Sequence, residues 1–241
     1  MENYNNGKVT VEGTKGATSI KELNNGGDAT ITVSQGTIQL LNNSGKGEVN
    51  VTQSGVVNKL NNYNNGKVTV EGTGGTIKLL NNSGIGGVNV TRSGVVNELN
   101  NQGIGEINVT QFGIVQRLYN GNNGKVTVNG MNVMSVIELH NIRDGAIILS
   151  GGTVGSLNNA GRGEINVEQS GVVNRLGNYA DGKVIVNSET DAVAVTTLNN
   201  TGNGAITVSK GIVGTITGKG TININGGTVR KIEGGGYYDN N

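Results

Sequence analysis

A pair of apolar positions, separated by one variable residue, recurs along the whole chain at intervals of about nineteen residues. The first position of each pair is always Val or Ile: Val9, Ile31, Val49, Val68, Val88, Ile107, Val126, Ile147, Ile165, Val184, Ile206 and Ile222. The second position stands two residues later and is also always aliphatic. Because apolar and variable residues alternate and most of the apolar ones are β-branched, the pattern predicts a strand with one buried face.

A second apolar pair follows in every copy, with two residues instead of one between its members. Its second member is Leu until the last two copies, which have Ile: Leu23, Leu41, Leu60, Leu80, Leu99, Leu118, Leu139, Leu157, Leu176, Leu198, Ile216 and Ile232. The step of three residues breaks the alternation, so the chain is expected to bend or bulge there before a short extended segment. Each copy is therefore predicted to be one coil of a parallel β-solenoid.

The predicted fold class is all-β: a single parallel β-helix of twelve coils of about 19 residues, forming one domain over residues 1–241, with a short polar C-terminal tail at 235–241. The connection between the two apolar pairs is longest in coils one, four, seven and ten: 12–19, 71–76, 129–135 and 187–194. The same four coils begin with Lys8, Lys67, Lys125 and Lys183. The coils are therefore grouped as four three-coil units, in which Glu48, Glu106 and Glu164 each precede a Lys by one coil.

The turn that leads from one coil to the next has a nearly constant length and two recurrent residues. An Asn stands two residues after the Leu in ten coils: Asn25, Asn43, Asn62, Asn82, Asn101, Asn120, Asn141, Asn159, Asn178 and Asn200. Alternation from the inward Leu points this Asn inward, where its amide can both donate and accept hydrogen bonds. The pattern predicts an asparagine ladder. The Gly that closes the turn, as at Gly47 or Gly105, is expected to provide backbone freedom for a tight corner.

Composition narrows the range of functions. The chain has 43 Gly, no Pro, no Trp and one Phe, so its core must be narrow and aliphatic. A net charge of +1 does not favour nucleic acid or an anionic membrane as a partner, and no apolar run is long enough for membrane insertion. Without cysteine there is no disulfide framework or thiolate metal site. We expect no cofactor.

No group of residues in the sequence predicts catalysis, so we expect no enzyme activity and assign no catalytic, cofactor-binding, metal-binding or ligand-binding residue. His140 is the only histidine and is expected to point outward. Glu189 and Asp191 form a close acidic pair in the longest connection, where a solvated loop is the simplest interpretation. Tyr4, Tyr63 and Tyr179 share one turn position, either as a sugar platform or as covers for an apolar corner. The outward column that begins Thr10, Thr32, Asn50 is too mixed to favour ice binding.

Two resemblances concern the repeat itself. The coil pattern resembles the β-helix repeats, also about nineteen residues long, of filamentous haemagglutinin-type surface adhesins over the whole chain. Separately, Gln53, Gly55 and Asn58 are similar to half of a curlin repeat, as are Gln169, Gly171 and Asn174, while the second half is missing. Both resemblances imply an extracellular, non-enzymatic solenoid, and the curlin case implies self-assembly. Neither identifies a binding residue.

These observations lead to an expectation about function. The protein is expected to be a non-catalytic structural subunit of an extracellular fibre or surface layer that assembles as a head-to-tail homopolymer. Its ends show no capping element, and no signal peptide is visible in the chain. The alternative is an adhesin or phage tail-fibre shaft that binds carbohydrate, or less plausibly ice, through the edge formed by the longer connections.

Overall fold

Parallel strands account for all the regular structure that the computed structural model describes, which covers residues 1–13, 19–131, 134–234 and 237–240. They form a parallel β-solenoid of about twelve coils, so the predicted all-β fold and coil length are confirmed. Within these ranges no helix is long and apolar enough to cross a membrane. The chain divides into two compact units, Met1–Leu118 and Tyr119–Asn241, each with about half of the coils.

The strands follow the predicted pairs of apolar columns. In the first unit they are β1 (Glu2–Asn3), β2 (Val9–Val11), β3 (Ser19–Asn25), β4 (Ile31–Asn43), β5 (Val49–Asn62), β6 (Val68–Val70), β7 (Thr76–Asn82), β8 (Val88–Val90), β9 (Val95–Asn101) and β10 (Ile107–Gln111). Strand β11 (Ile114–Asn120) ends just after Leu118. The second unit continues with β12 (Val126–Gly130), β13 (Val136–Asn141), β14 (Ile147–Gly151), β15 (Thr153–Asn159), β16 (Ile165–Gln169), β17 (Val172–Asn178), β18 (Val184–Ser188), β19 (Val193–Asn200), β20 (Ile206–Lys210), β21 (Ile212–Gly218), β22 (Thr221–Ile224), β23 (Thr228–Glu233) and β24 (Tyr237–Asn240).

The register places each column residue beside its equivalent in the next coil. Strand β4 pairs with β5 through Ile31↔Val49, Ile38↔Val57 and Leu41↔Leu60. Pairing then skips one residue on each strand, because Leu40↔Lys59 is the next pair after Ile38↔Val57. The unpaired residue accommodates the three-residue step between the third and fourth columns. The predicted bend is therefore a local irregularity within a continuous strand.

Four aliphatic ladders form the core. Every residue of the four columns is buried except Ile20, Ile224, Val229 and Ile232, which are half-buried in the first and last coils. The only Phe, Phe112, is 48% exposed and lies outside this core. Burial of a Val, Leu or Ile side chain contributes about 1.5–3 kcal/mol. A narrow core without aromatic residues is therefore sufficient because it repeats in every coil.

The side chains of the asparagine ladder point inward and have the predicted partners. In the first unit Asn25 Nδ2 donates to Asn43 Oδ1, and Asn43 Nδ2 donates to Asn62 Oδ1, both at 2.8 Å. In the second unit Asn141 and Asn159 continue the same pattern, and all ten ladder residues are fully buried. Each Nδ2 also donates to a carbonyl oxygen four residues later, as from Asn43 to Gly47. The amide thus joins two coils and closes its own turn.

A second amide ladder, which the sequence did not reveal, lies beside it in the first unit. It uses the residue before each inward Asn: Asn24, Asn42, Asn61, Asn81 and Asn100. Here donation runs the other way, since Asn42 Nδ2 donates to Asn24 Oδ1 at 2.8 Å and Asn61 Nδ2 donates to Asn42 Oδ1 at 2.8 Å. The two ladders carry side-chain dipoles in opposite directions, which reduces their net dipole.

Several turn glycines serve a different purpose from the one expected, although Gly220 does have a positive φ of 94°. Backbone freedom is not needed at Gly47 or Gly105, because neither has a positive φ. A Cβ at Gly47 would instead lie 2.0 Å from the carbonyl oxygen of Ala29, and one at Gly45 would lie 1.9 Å from that of Gly27. The prediction about flexibility was wrong for these positions. Glycine is required because the backbone of the preceding coil occupies the space of a side chain.

Left-handed backbone occurs at another corner, between the two apolar pairs. Gln53, Gln111 and Gln169 have φ of 50°, 52° and 50°, and each is 58 residues from the next. The recurrence of this corner supports the grouping into three-coil units. The sequence repeats a Glu and a Lys with the same period, and one such pair is seen in the second unit, where Lys183 Nζ lies 3.6 Å from Glu164 Oε2. Both side chains are about half exposed, so the pair adds at most about 1 kcal/mol.

The predicted C-terminal tail contains regular structure. Strand β24 (Tyr237–Asn240) pairs in parallel with β22 through Thr221↔Tyr237 and Asn223↔Asp239. The backbone after Glu233 therefore continues the spiral with a further strand. Of the residues assigned to the tail, 235, 236 and 241 lie outside the described ranges.

The inward ladder predicts a difference between two asparagines of the first unit. Asn82 accepts from Asn62 and donates to Asn101 and to Gly86, whereas Asn97 is half-buried and its side-chain amide makes no hydrogen bond to a described residue. We expect Asn82→Ala to lower the free energy of unfolding by about 1–3 kcal/mol, because it leaves buried partners unpaired. Asn97→Ala should change it little. Chemical denaturation measures both, and equal losses would contradict the ladder.

The glycine contacts predict opposite effects for the same substitution at two turns. Gly45→Ala should lower the free energy of unfolding by about 1–3 kcal/mol, because the new methyl group collides with the Gly27 carbonyl. At Gly7 a Cβ would meet nothing within 4 Å. Gly7→Ala should therefore raise the free energy of unfolding by about 0.4–1 kcal/mol, because Ala has fewer backbone conformations than Gly in the unfolded chain. Thermal unfolding of both variants checks the difference. Stabilisation by Gly45→Ala would refute the steric explanation.

Candidate functional site

The edge formed by the longer connections is described only in part. Residues 14–18 of the first connection and 132–133 of the third lie outside the described ranges. In the second, Gly72 and Gly74 have φ of 91° and 144°, and Arg92 of the next coil pairs with Glu71 at 3.2 Å. The connection is thus tied to its neighbouring coil by an exposed ion pair.

The longest connection, in coil ten, forms one side of a small cleft. Glu189, Asp191 and Lys210 line it, and its volume is about 210 Å³. Ser188 anchors the loop because it is fully buried and its Oγ donates to the carbonyl oxygen of Gln169 at 2.8 Å. Both carboxylates are on exposed residues. The described residues contain no group of three or more His, Cys, Asp or Glu side chains that could hold a metal ion.

The three tyrosines at the common turn position are all exposed, from 50% for Tyr63 and Tyr179 to 70% for Tyr4. The ring of Tyr179 lies over Gly177, where an added Cβ would be 2.5 Å from its hydroxyl oxygen. The Tyr4 ring lies over Gly26 in the same manner. The carboxylate of Glu2 raises the pKa of Tyr4. The larger cause is charge repulsion, and the smaller is the hydrogen bond that the carboxylate accepts from the Tyr4 hydroxyl. The rings of Tyr4 and Tyr179 thus cover glycine backbone.

His140 faces outward as predicted, but it belongs to an aromatic pair that the sequence did not reveal. Its ring stacks on Tyr119 with centroids 4.9 Å apart and planes 11° apart. Asn158 Nδ2 lies 3.5 Å from His140 Nδ1, and the Tyr179 hydroxyl donates to Asn158 Oδ1 at 3.3 Å. These side chains take the place that the outward amide ladder has in the first unit. Since the two rings cover each other's faces, the pair is poorly placed to stack on a sugar.

A larger cleft than the one in coil ten lies on the opposite edge, at the constant turns of the second unit. It has a volume of about 400 Å³ and is bordered by Ile142, Arg143, Asp144 and Arg162. The small residues Ala160, Gly161 and Ala180 also line it. The sequence pattern placed any ligand on the edge of the longer connections, so this cleft was not foreseen. The sequence feature that could have revealed this cleft is the succession of small residues at the same turn positions in neighbouring coils.

The residues of the curlin-like half-repeat lie at a corner. Gln53 and Gln169 are exposed, while Gly55 and Gly171 face the preceding coil, where an added Cβ would lie 2.1 and 2.3 Å from a carbonyl oxygen. Their recurrence therefore reflects a backbone corner in this protein. A scan against family models gave no match for the chain, and searches of curated proteins and of solved structures gave no significant match either.

Proposed function

We propose that the protein is a non-catalytic structural subunit of an extracellular fibre or surface layer, in which the edge coil of one molecule stacks on the opposite edge coil of the next. The observation that carries this proposal is the uniformity of the contact between coils. Contacts between coils use aliphatic columns and parallel strands in register, with an inward Asn in ten of the twelve coils. A contact between molecules could therefore use the parts that already join coils within one molecule.

The inward ladder supports a head-to-tail arrangement. In the ten coils that carry it, the inward Asn donates toward the C-terminal side, so each of these coils presents a donor on one side and an acceptor on the other. The last two coils have Gly218 and Gly234 at this position, and there the aliphatic columns and the strands provide the contact. Asn25, for example, accepts from Asn3 and donates to Asn43. An interface between two such different surfaces does not close on itself, and its repetition generates a filament.

The edge strands supply the backbone groups for such a contact. Within the described ranges, β1 pairs only with β3 and β2 only with β4. Likewise β23 pairs only with β21 and β24 only with β22. Each of these strands has one side on which N–H and C=O groups have no strand partner. Such edges are templates for adding another strand.

Both resemblances imply an extracellular location, and the curlin-like half-repeat also implies self-assembly. The haemagglutinin-type repeats and the curlin-like half-repeat both suggest a solenoid outside the cell that has no catalytic role. Carbohydrate binding at the edge of the longer connections is a second candidate function. It is favoured by the cleft that Glu189, Asp191 and Lys210 line in coil ten.

Substitution at Thr10 tests the assembly. Val9 N donates to Thr30 O in the second coil, and successive N–H groups of a strand point to opposite sides, so the Thr10 N–H faces the free side of β2. Thr10→Pro removes that donor without removing a hydrogen bond to the second coil, and Pro is tolerated on edge strands. We expect the unsubstituted chain and Thr10→Ala to form filaments in negative-stain microscopy, and Thr10→Pro to remain monomeric.

A substitution at Ile222 would not test the assembly, because β24 pairs with that strand and Ile222 is registered with Tyr238. Light scattering over a range of protein concentrations complements the microscopy. A chain that remains monomeric at high concentration, or Thr10→Pro filaments that grow as well as those of Thr10→Ala, would contradict the proposal.

A further inference from the structure

The turn-edge cleft of the second unit follows from the order of side chains in successive turns. It is lined by Asn123, Ile142, Arg143, Asp144, Ala160, Gly161, Arg162 and Ala180. Ile142 and Arg143 are the first two residues after Asn141, and Ala160 and Gly161 occupy the same places after Asn159. Gly161 packs directly against the Arg143 carbonyl, where a Cβ would lie 2.0 Å from the oxygen. The chain therefore passes from large to small side chains within one coil step, which opens the cleft.

Two arginines line the cleft. Arg143 and Arg162 are exposed, and neither forms an ion pair with any described residue. Other charged side chains of this unit, such as Lys183 and Glu164, are paired with each other. The cleft thus combines a concave surface of about 400 Å³, within the usual range for ligand sites, with two cations that have no internal partner.

Besides the two arginines, the polar residues that line the cleft are Asn123 and Asp144. The Asp144 carboxylate is held in place. Its Oδ1 accepts the backbone N–H of Arg162 at 2.9 Å, which fixes the side chain against the next turn. No hydrogen bond from a described residue reaches the other carboxylate oxygen. That oxygen can accept a hydrogen bond from a hydroxyl group of a ligand. Ile142, 51% exposed, adds an apolar wall beside it.

We propose that this cleft binds a carboxylated sugar, such as a hexuronate unit of an acidic polysaccharide. The guanidinium groups of Arg143 and Arg162 bind the carboxylate, because Arg matches its planar geometry with paired N–H donors. Asp144 accepts a hydrogen bond from a sugar hydroxyl group. The C–H face of the sugar ring packs against Ala160, Gly161 and Ala180. A polyphosphate chain fits less well, because Asp144 would repel it and the net charge of the protein is only +1.

This inference is independent of the proposed fibre role, because the cleft lies within one unit and needs no second molecule. A monomeric chain that binds the sugar would support the site and contradict the fibre. Filaments that do not bind the sugar would support the fibre and contradict the site. The Thr10→Pro variant, which lies outside the cleft, should bind as the unsubstituted chain does.

The test measures binding of trigalacturonate by isothermal titration calorimetry at low ionic strength, with neutral cellotriose as the comparison ligand. We expect saturable binding of trigalacturonate, weakening with added salt, and none of cellotriose at the same concentrations. Arg143→Gln and Arg162→Gln should each weaken the affinity about tenfold or more, as expected for loss of a charge-assisted contact. Circular dichroism and thermal unfolding should show that both exposed substitutions leave the fold intact.

Two matched controls locate the effect. Arg175→Gln removes the same charge from an exposed residue of this unit that does not line the cleft, and it should leave the affinity almost unchanged. Glu189→Gln alters the other cleft, in the longest connection, and should have no effect either. An equal loss from Arg175→Gln would reduce the result to general electrostatics and overturn the site.

Asp144→Asn separates a sugar site from a simple anion site. The amide keeps an oxygen that can accept the Arg162 N–H, but it is a weaker acceptor for a sugar hydroxyl and removes a negative charge. We expect weaker trigalacturonate binding and unchanged or stronger binding of inorganic phosphate. Stronger binding of both ligands would overturn the sugar proposal. So would an absence of saturable trigalacturonate binding, or tighter binding of single-stranded DNA than of trigalacturonate.

Discussion

The structure depends on a buried side-chain amide in nearly every coil that must find hydrogen-bond partners above, below and within its own turn. A buried amide without partners would cost about 1–3 kcal/mol, so the coils cannot slip relative to one another without a large penalty. The inward Asn solves this by donating to the next Asn and to a carbonyl four residues along, as Asn43 does to Asn62 and Gly47. The aliphatic columns supply burial, whereas the amides supply register.

The constant turn length follows from the same requirement. The amide reaches its own turn only if the carbonyl four residues later lies beneath it, so insertions there would break the ladder. Insertions between the two apolar pairs face no such constraint, and this is where the coils differ in length. The close approach of the turns also explains the glycines at Gly45 and Gly47, whose places for a side chain are filled by backbone carbonyls of the preceding coil. The proposed contact between molecules would need the same spacing.

Much of the fold was predictable from sequence because it is periodic. Twelve copies place equivalent residues side by side, so columns of Val, Ile, Leu and Asn reveal burial directly, and an irregular step such as that from Ile38 to Leu41 reveals the bend. Steric roles were harder to read, because composition does not distinguish a glycine with positive φ, such as Gly72, from one pressed against a neighbouring carbonyl, such as Gly47.

The surface features could not be predicted to the same extent. The donor direction of the outward amides and the stacking of Tyr119 on His140 depend on side-chain rotamers, which the repeat does not determine. The turn-edge cleft was more accessible, because the register alone places Ala160 and Gly161 beside Ile142 and Arg143. It was not predicted because the variation in length of the longer connections indicated a ligand site on the opposite edge.

Exchange of side-chain amide hydrogens, followed residue by residue by NMR, tests the central claim most directly. The Nδ2 hydrogens of Asn43 and Asn62 are buried and doubly engaged, so they should exchange about as slowly as the backbone amides of the core strands. Those of Asn97, which is only half-buried, should exchange far faster. Rapid exchange at Asn43 and Asn62, at the rate of Asn97, would contradict an inward ladder that holds the coils in register.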